Sequence, residues 1–170
     1  MSGEKKEWTE TVLLIVVFAV VFAAVFFLSQ SAGSQKESSF EGLRVFSNGN
    51  AKAEMAAILV PKNAVIEEQL VNGSDVRNSA VAVMAAEIAR ALHANNKTVN
   101  VYGVVDGVPS INCNANTTNC SGASIVVEIS NCDCLRVSDK IYVSGGKDFL
   151  LQNPQKIAGI IAYVLSNKKI

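Results

Sequence analysis

Apolar residues follow three different patterns along this chain. From Thr11 to Leu28, TVLLIVVFAVVFAAVFFL holds no charge, no Pro and no Gly. A helix of that length spans about 27 Å, close to the hydrocarbon thickness of a bilayer. Lipid leaves a backbone no partner but itself, so residues 11–28 are expected to be a transmembrane helix, with Trp8 in the interfacial layer. Beyond this run the apolar residues alternate or recur at threes and fours, as in a folded domain.

Between the two, SQSAGSQKESS (Ser29–Ser39) is small and polar, which predicts a flexible linker over 29–39 and a domain over 40–170. LRVFS (Leu43–Ser47) predicts a strand followed by a turn at Ser-Asn-Gly-Asn. Met55–Val60 is short and bounded by Pro61, which favours a strand, although AKAEMAA also suits a helical turn or two. Ala64–Leu70 is ambiguous, with a short helix as one reading. Ser74 or Asp75 caps a long helix whose apolar stripe is Val76, Ala80, Val83, Met84, Ile88 and Leu92, ending near Ala94. TVNVYGVVDG predicts a strand closed by Asp106-Gly107, with a loop over 108–122. SIVVEIS (Ser124–Ser130) predicts another strand, and CLRVSDKIYVSGG a hairpin turning at Ser138-Asp139 and stopped by Gly145-Gly146. Asn153-Pro154 opens a final helix with Ile157, Ile160, Ile161, Val164 and Leu165 on its buried side.

The order of elements predicts an α/β domain, with α+β as the variant. It is a two- or three-layer sandwich of two main helices and a mixed sheet of four to six strands. The helix before Val99 is long enough for a parallel crossover.

Charge bears on topology. Lys5 and Lys6 precede the apolar run, whereas Lys36 is the only basic residue after it before Arg44. Positive-inside bias thus places residues 1–10 in the cytoplasm and the domain outside, as a single-pass signal-anchor protein of the cell membrane. A cleaved signal peptide is the rival, but the run exceeds an ordinary signal-peptide core and SQSAGS is a poor cleavage site. A pilin-type leader, with Glu10 beside the run, lacks a small-residue cleavage point after the lysines. With Lys+Arg and Asp+Glu balanced at 15 each, no charge excess points to nucleic acid. The expected partners are the bilayer, through residues 11–28, and a protein at the membrane.

Four cysteines, Cys113, Cys120, Cys132 and Cys134, lie close together. An even cluster in an exported domain points to disulfides. In the pairing Cys113–Cys120, Cys132 and Cys134 are left to each other in a tight Cys-x-Cys ring. In an extended strand both would face one side, which favours two loop-to-strand bridges, with Cys113–Cys120 alone as the equal alternative. A four-thiolate metal site is the alternative, against which the irregular C-x6-C and C-x-C spacings stand. A redox-active Cys-x-Cys lacks a following helix N-terminus to lower a thiol pKa.

No other residues announce catalysis. His93, the single histidine, has no nucleophile motif near it. VSGGKDFL lacks the spacing of a phosphate-binding loop and reads as a turn. Asp106, Glu128 and Asp133 fall near strand ends, where α/β sites form, yet none has a sequence-evident partner. Sequons at Asn72, Asn96 and Asn116 are glycosylation candidates, and a fourth at Asn119 is compromised if Cys120 is bridged. No cofactor is implied. The sequence points to a membrane-anchored, non-catalytic binding, sensing or assembly module. The alternatives are a thiol-redox or metal protein built on the cysteines, and an accessory subunit of a membrane complex.

Overall fold

The computed structural model describes residues 35–110 and 122–167, together with residues 17, 18 and 20–22. Two compact units divide the chain, Met1–Ser34 and Gln35–Ile170. In the first, the described residues Val17, Phe18, Val20, Val21 and Phe22 are helical with exposed side chains. Among the described residues no helix is long and apolar enough to cross a membrane. The remainder of residues 11–28 lies outside them.

The second unit is a mixed α/β fold. Its elements are β1 (Lys36–Phe40), β2 (Leu43–Ser47), α1 (Ala51–Ile58), β3 (Asn63–Leu70), α2 (Val76–Ala94), β4 (Thr98–Val105), β5 (Val108–Ser110), β6 (Ile125–Ile129), β7 (Cys134–Val137), β8 (Ile141–Gly145), α3 (Lys147–Gln152) and α4 (Pro154–Ser166). The eight strands form one sheet in the order β1-β2-β7-β8-β6-β3-β4-β5, more than the expected four to six. The additional strands come from short pieces. Lys36–Phe40 turns out to be a strand rather than linker, pairing antiparallel with β2, and Val108–Ser110 pairs with β4.

Both additions rest on two-residue turns. Glu41 (φ 50°) with Gly42 (φ 76°), and Asp106 (φ 50°) with Gly107 (φ 77°), place both central residues at positive φ. This turn matches the twist of the flanking strands, and Asp-Gly is a preferred sequence for it. At the centre β3, β4, β6 and β8 run parallel, and α2 makes the expected crossover from β3 to β4. β7 and β8 form the predicted antiparallel hairpin.

Two segments differ from the sequence reading. Ala51–Ile58 is helix, because Asn50 accepts a hydrogen bond from the Ala53 amide at its start and Met55 buries one turn before Leu59. Asn63–Leu70 is the strand β3, with Ala64 and Ile66 buried. The stripe of α2 is rotated from the expected one: Val76 and Val83 are exposed, while Val81 and Ala85 join Ala80, Met84, Ile88 and Leu92 inside. α4 starts at Pro154 and buries the expected Ile157, Ile160, Ile161, Val164 and Leu165.

The helices form one layer. α1 packs on β2 and β7, α2 on β3, β4 and β6, and α3 on β8, while α2 touches α3 and α4, and α4 touches α1. The core lies between this layer and one face of the sheet, where Val45, Leu135, Val143, Val127, Ile125, Ile141 and Ile66 are all buried. None of the helices α1 to α4 covers the other face.

Candidate functional site

The ladder registers define what that helix-free face presents. One row crosses seven strands in the order Glu37, Phe46, Arg136, Tyr142, Val126, Glu67 and Tyr102. The row beside it runs Ser39, Arg44, Cys134, Ser144 and Glu128. Side chains alternate between faces of a strand, so the apolar positions between these serve the core. Strands at the centre of a parallel sheet ordinarily carry apolar side chains on both faces. Here one face carries aromatic rings, guanidinium groups and carboxylates instead.

Two networks hold these groups. Glu67 accepts hydrogen bonds from the Tyr102 hydroxyl at 2.7 Å and from Gln69, with Lys140 Nζ at 3.9 Å. Burial, then the hydrogen bond to Glu67 and its charge, push the Tyr102 hydroxyl well above its usual range, so it stays a donor. Glu128 Oε1 accepts from Arg136 at 2.8 Å and from the buried Ser144 hydroxyl at 2.6 Å. The Arg136 guanidinium lies 5.0 Å from the centre of the Tyr142 ring. Burial, and next the charge of Asp139, raise the Tyr142 hydroxyl as well.

On the neighbouring strands Arg44 sits 5.2 Å from the centre of the Phe46 ring and donates from Nε to Glu37 at 2.8 Å. That hydrogen bond lowers the Glu37 carboxyl below the usual carboxylate range. Each of these three carboxylates therefore already accepts a hydrogen bond from a neighbouring side chain. Arg and aromatic rings are residue types enriched at protein interfaces.

The carboxyl end of β6 carries the one disulfide among the described residues. It joins Cys132 to Cys134, so neither of the two expectations, a pair of loop-to-strand bridges or Cys113–Cys120 alone, is met. The reason is local: β7 begins only at Cys134, after a bend at Asn131, and Cys132 and Asp133 lie outside any strand. The Ser130 hydroxyl accepts from the Cys132 amide and Asp133 Oδ1 accepts from the Gly146 amide, which curls the segment. The two Cα atoms stand 5.4 Å apart, against about 6.6 Å for residues two apart in a strand. Cys113, Cys120, Asn116 and Asn119 lie outside the described residues, so the four-thiolate alternative has its described pair, Cys132 and Cys134, joined to each other. Among the described residues no group of His, Cys, Asp and Glu could hold a metal ion.

The other sequence candidates are scattered. Asp106 forms the β4–β5 turn, Asp133 caps Gly146, and only Glu128 enters the polar face. His93 is exposed in the last turn of α2. In VSGGKDFL, Gly145 ends β8 and Gly146 precedes α3, a turn as expected. Asn72 and Asn96 are exposed outside the helices and strands. Sequence reasoning missed Glu67, Gln69, Tyr102, Arg136 and Tyr142. Their signal was alternation: polar or amphipathic residues at every second position of strands that a parallel sheet would otherwise fill with aliphatics. No family model matches the chain, and no curated protein or solved structure matches it.

Proposed function

We propose that this chain is a single-pass, membrane-anchored, extracytoplasmic domain that binds a protein partner through the helix-free face of its sheet. The observation that carries the reading is the one-sided helix layer. All four described helices of the domain, α1 to α4, pack on the Val45–Ile66 side, leaving Arg44, Phe46, Arg136 and Tyr142 on a face without one. Residues 11–28 anchor the protein in the bilayer, with residues 1–10 cytoplasmic. The described part of that run is helical and exposes only apolar side chains, as a lipid-facing helix does. A disulfide and exposed sequons suit an exported domain.

A photo-crosslinking amino acid at Tyr142, compared with one at the exposed Ala86 of α2, tests the binding face in intact membranes. The reading expects crosslinks from position 142 and none from position 86; the same pattern at both positions overturns it. Protease added to intact cells tests topology independently. Digestion of the domain supports an external location, whereas digestion only after lysis places it inside.

The disulfide favours a second reading, in which the chain works through thiol chemistry.

A further inference from the structure

We propose that the Cys132–Cys134 disulfide is a thiol–disulfide exchange site, whose substrate is a polypeptide bearing a pair of thiols. Three observations on this segment and its neighbours lead there. The first is that the bond does little for the fold. It spans a single residue, Asp133, and the stabilisation a disulfide brings grows with the length of loop it closes. The ends of this segment are already fixed by ladders on both sides, Ile129 opposite Gly145 and Cys134 opposite Ser144.

The second is asymmetry. Cys132 is partly exposed in the bend, whereas Cys134 is fully buried in β7. One sulfur can be reached by an incoming thiolate and the other cannot, which fixes the direction of attack. The third is what flanks the buried sulfur. Arg44, ion-paired with Glu37, is its ladder partner on β2, and Ser144, whose hydroxyl donates to Glu128, is its partner on β8, so polar rather than aliphatic residues flank the position where a leaving thiolate forms. The site sits where β6 and β8 end, the end of the sheet at which α/β folds place their chemistry. Lys36, where the domain begins, pairs with Ser47 at the opposite end.

The exchange balances as follows. A partner thiolate attacks the Cys132 sulfur, a mixed disulfide forms, the Cys132–Cys134 bond breaks, and Cys134 leaves as thiolate. The partner's second thiolate then attacks its own sulfur in the mixed disulfide and releases Cys132. The two thiolates released on Cys134 and Cys132 take up the two protons that the partner's thiols lost. The partner dithiol is oxidised to a disulfide and the Cys132–Cys134 pair is reduced. A second disulfide, such as oxidised glutathione, restores the bond by the reverse steps.

The test uses the full chain in detergent micelles, equilibrated in reduced and oxidised glutathione and then alkylated. Cleavage after Glu128 separates Cys132 and Cys134 from Cys113 and Cys120, so each pair is counted by mass. The expected result is a Cys132–Cys134 pair that opens and closes reversibly with the glutathione ratio while the thermal transition stays in place. A pair that stays oxidised in excess reduced glutathione overturns the proposal, as does loss of the folded transition on reduction. Two variants test the direction. With oxidised glutathione, Cys132 in the Cys134→Ser chain should form the mixed disulfide at least about tenfold faster than Cys134 in the Cys132→Ser chain. Equal rates overturn the assignment of Cys132 as the attacked sulfur, and the wild-type titration stands even if either variant folds poorly.

Discussion

Lys97 closes a helix to which it does not belong. Its ammonium donates to the backbone carbonyls of Leu59 at 2.7 Å, Val60 at 3.1 Å and Pro61 at 2.7 Å, where α1 ends. Carbonyls at a helix C-terminus lack intrahelical partners and carry partial negative charge, so a cation satisfies both needs. Replacing Lys97 by Met should cost about 1.5–3 kcal/mol in urea denaturation, the range for hydrogen bonds to a charged group. A loss below a few tenths would mean water serves those carbonyls equally well. Glu68 poses the opposite problem. It points to the helix side of β3, and burial holds its carboxyl above the usual carboxylate range. The folded state then binds this proton more tightly than the unfolded chain does. Its stability is therefore greatest below the unfolded value of about 4.5 and falls as pH rises through the folded one. Glu68→Gln should be more stable than wild type near pH 7, with the gap closing near pH 4, as read from urea midpoints. A gap that stays constant with pH would remove burial as the cause. Neither residue is legible in the sequence, because Lys97 meets carbonyls 36 to 38 positions away and Glu68 is desolvated by neighbouring strands.

Where an element shows its own period and caps, sequence suffices. α4 does, with Pro154 at its first turn and every predicted apolar position buried. β4 and the β7–β8 hairpin do as well, since alternation and turn residues agree. α1 reads as a strand, and β3 stays ambiguous, for local reasons. Asn50 looks like part of a turn until its side chain is seen capping Ala53, and the contiguous AAILV before Pro61 imitates a strand. In β3 the adjacent Glu67 and Glu68 break alternation, one facing the open side and one the helices. Two glycines show how an element's surroundings decide the sign of one substitution. Gly159 sits inside α4, and a Cβ there would meet nothing within 4 Å. Gly159→Ala should therefore stabilise the protein by about 0.5–1 kcal/mol, the helix-interior difference between the two residues. A Cβ on Gly145 would fall 2.1 Å from the Phe149 ring of α3. Gly145→Ala should destabilise by about 1–3 kcal/mol as that ring is displaced. Thermal denaturation of the two variants side by side checks both, and a shared sign would contradict the packing described.

At the scale of the molecule, the least legible feature was where the folded unit begins. Gln-Lys-Glu-Ser-Ser has the composition of a linker, and only pairing with β2 makes a strand of it. β1 has little of its own to bury: four of its five residues are exposed, and Phe40 alone packs against the core. What it supplies is pairing for the β2 edge, the Arg44–Glu37 ion pair, and contact between Phe40 and Tyr163 of α4, ring centres 5.8 Å apart. An unpaired edge invites another chain to add to it, and a short charged strand is one way proteins guard against that. Among the described residues the core is drawn from Leu43 to Leu165, with Phe40 the first residue packed against it. A chain starting at Gln35 should thus fold by itself, with a cooperative thermal transition matching that of the full protein in detergent. A chain starting at Glu41 keeps the whole buried core but exposes β2. It should melt lower and associate in a concentration-dependent way through that edge, measured by sedimentation velocity. If the shorter chain stays monomeric with an unchanged transition, β1 is linker after all, and the domain starts near Phe40 as its composition suggested.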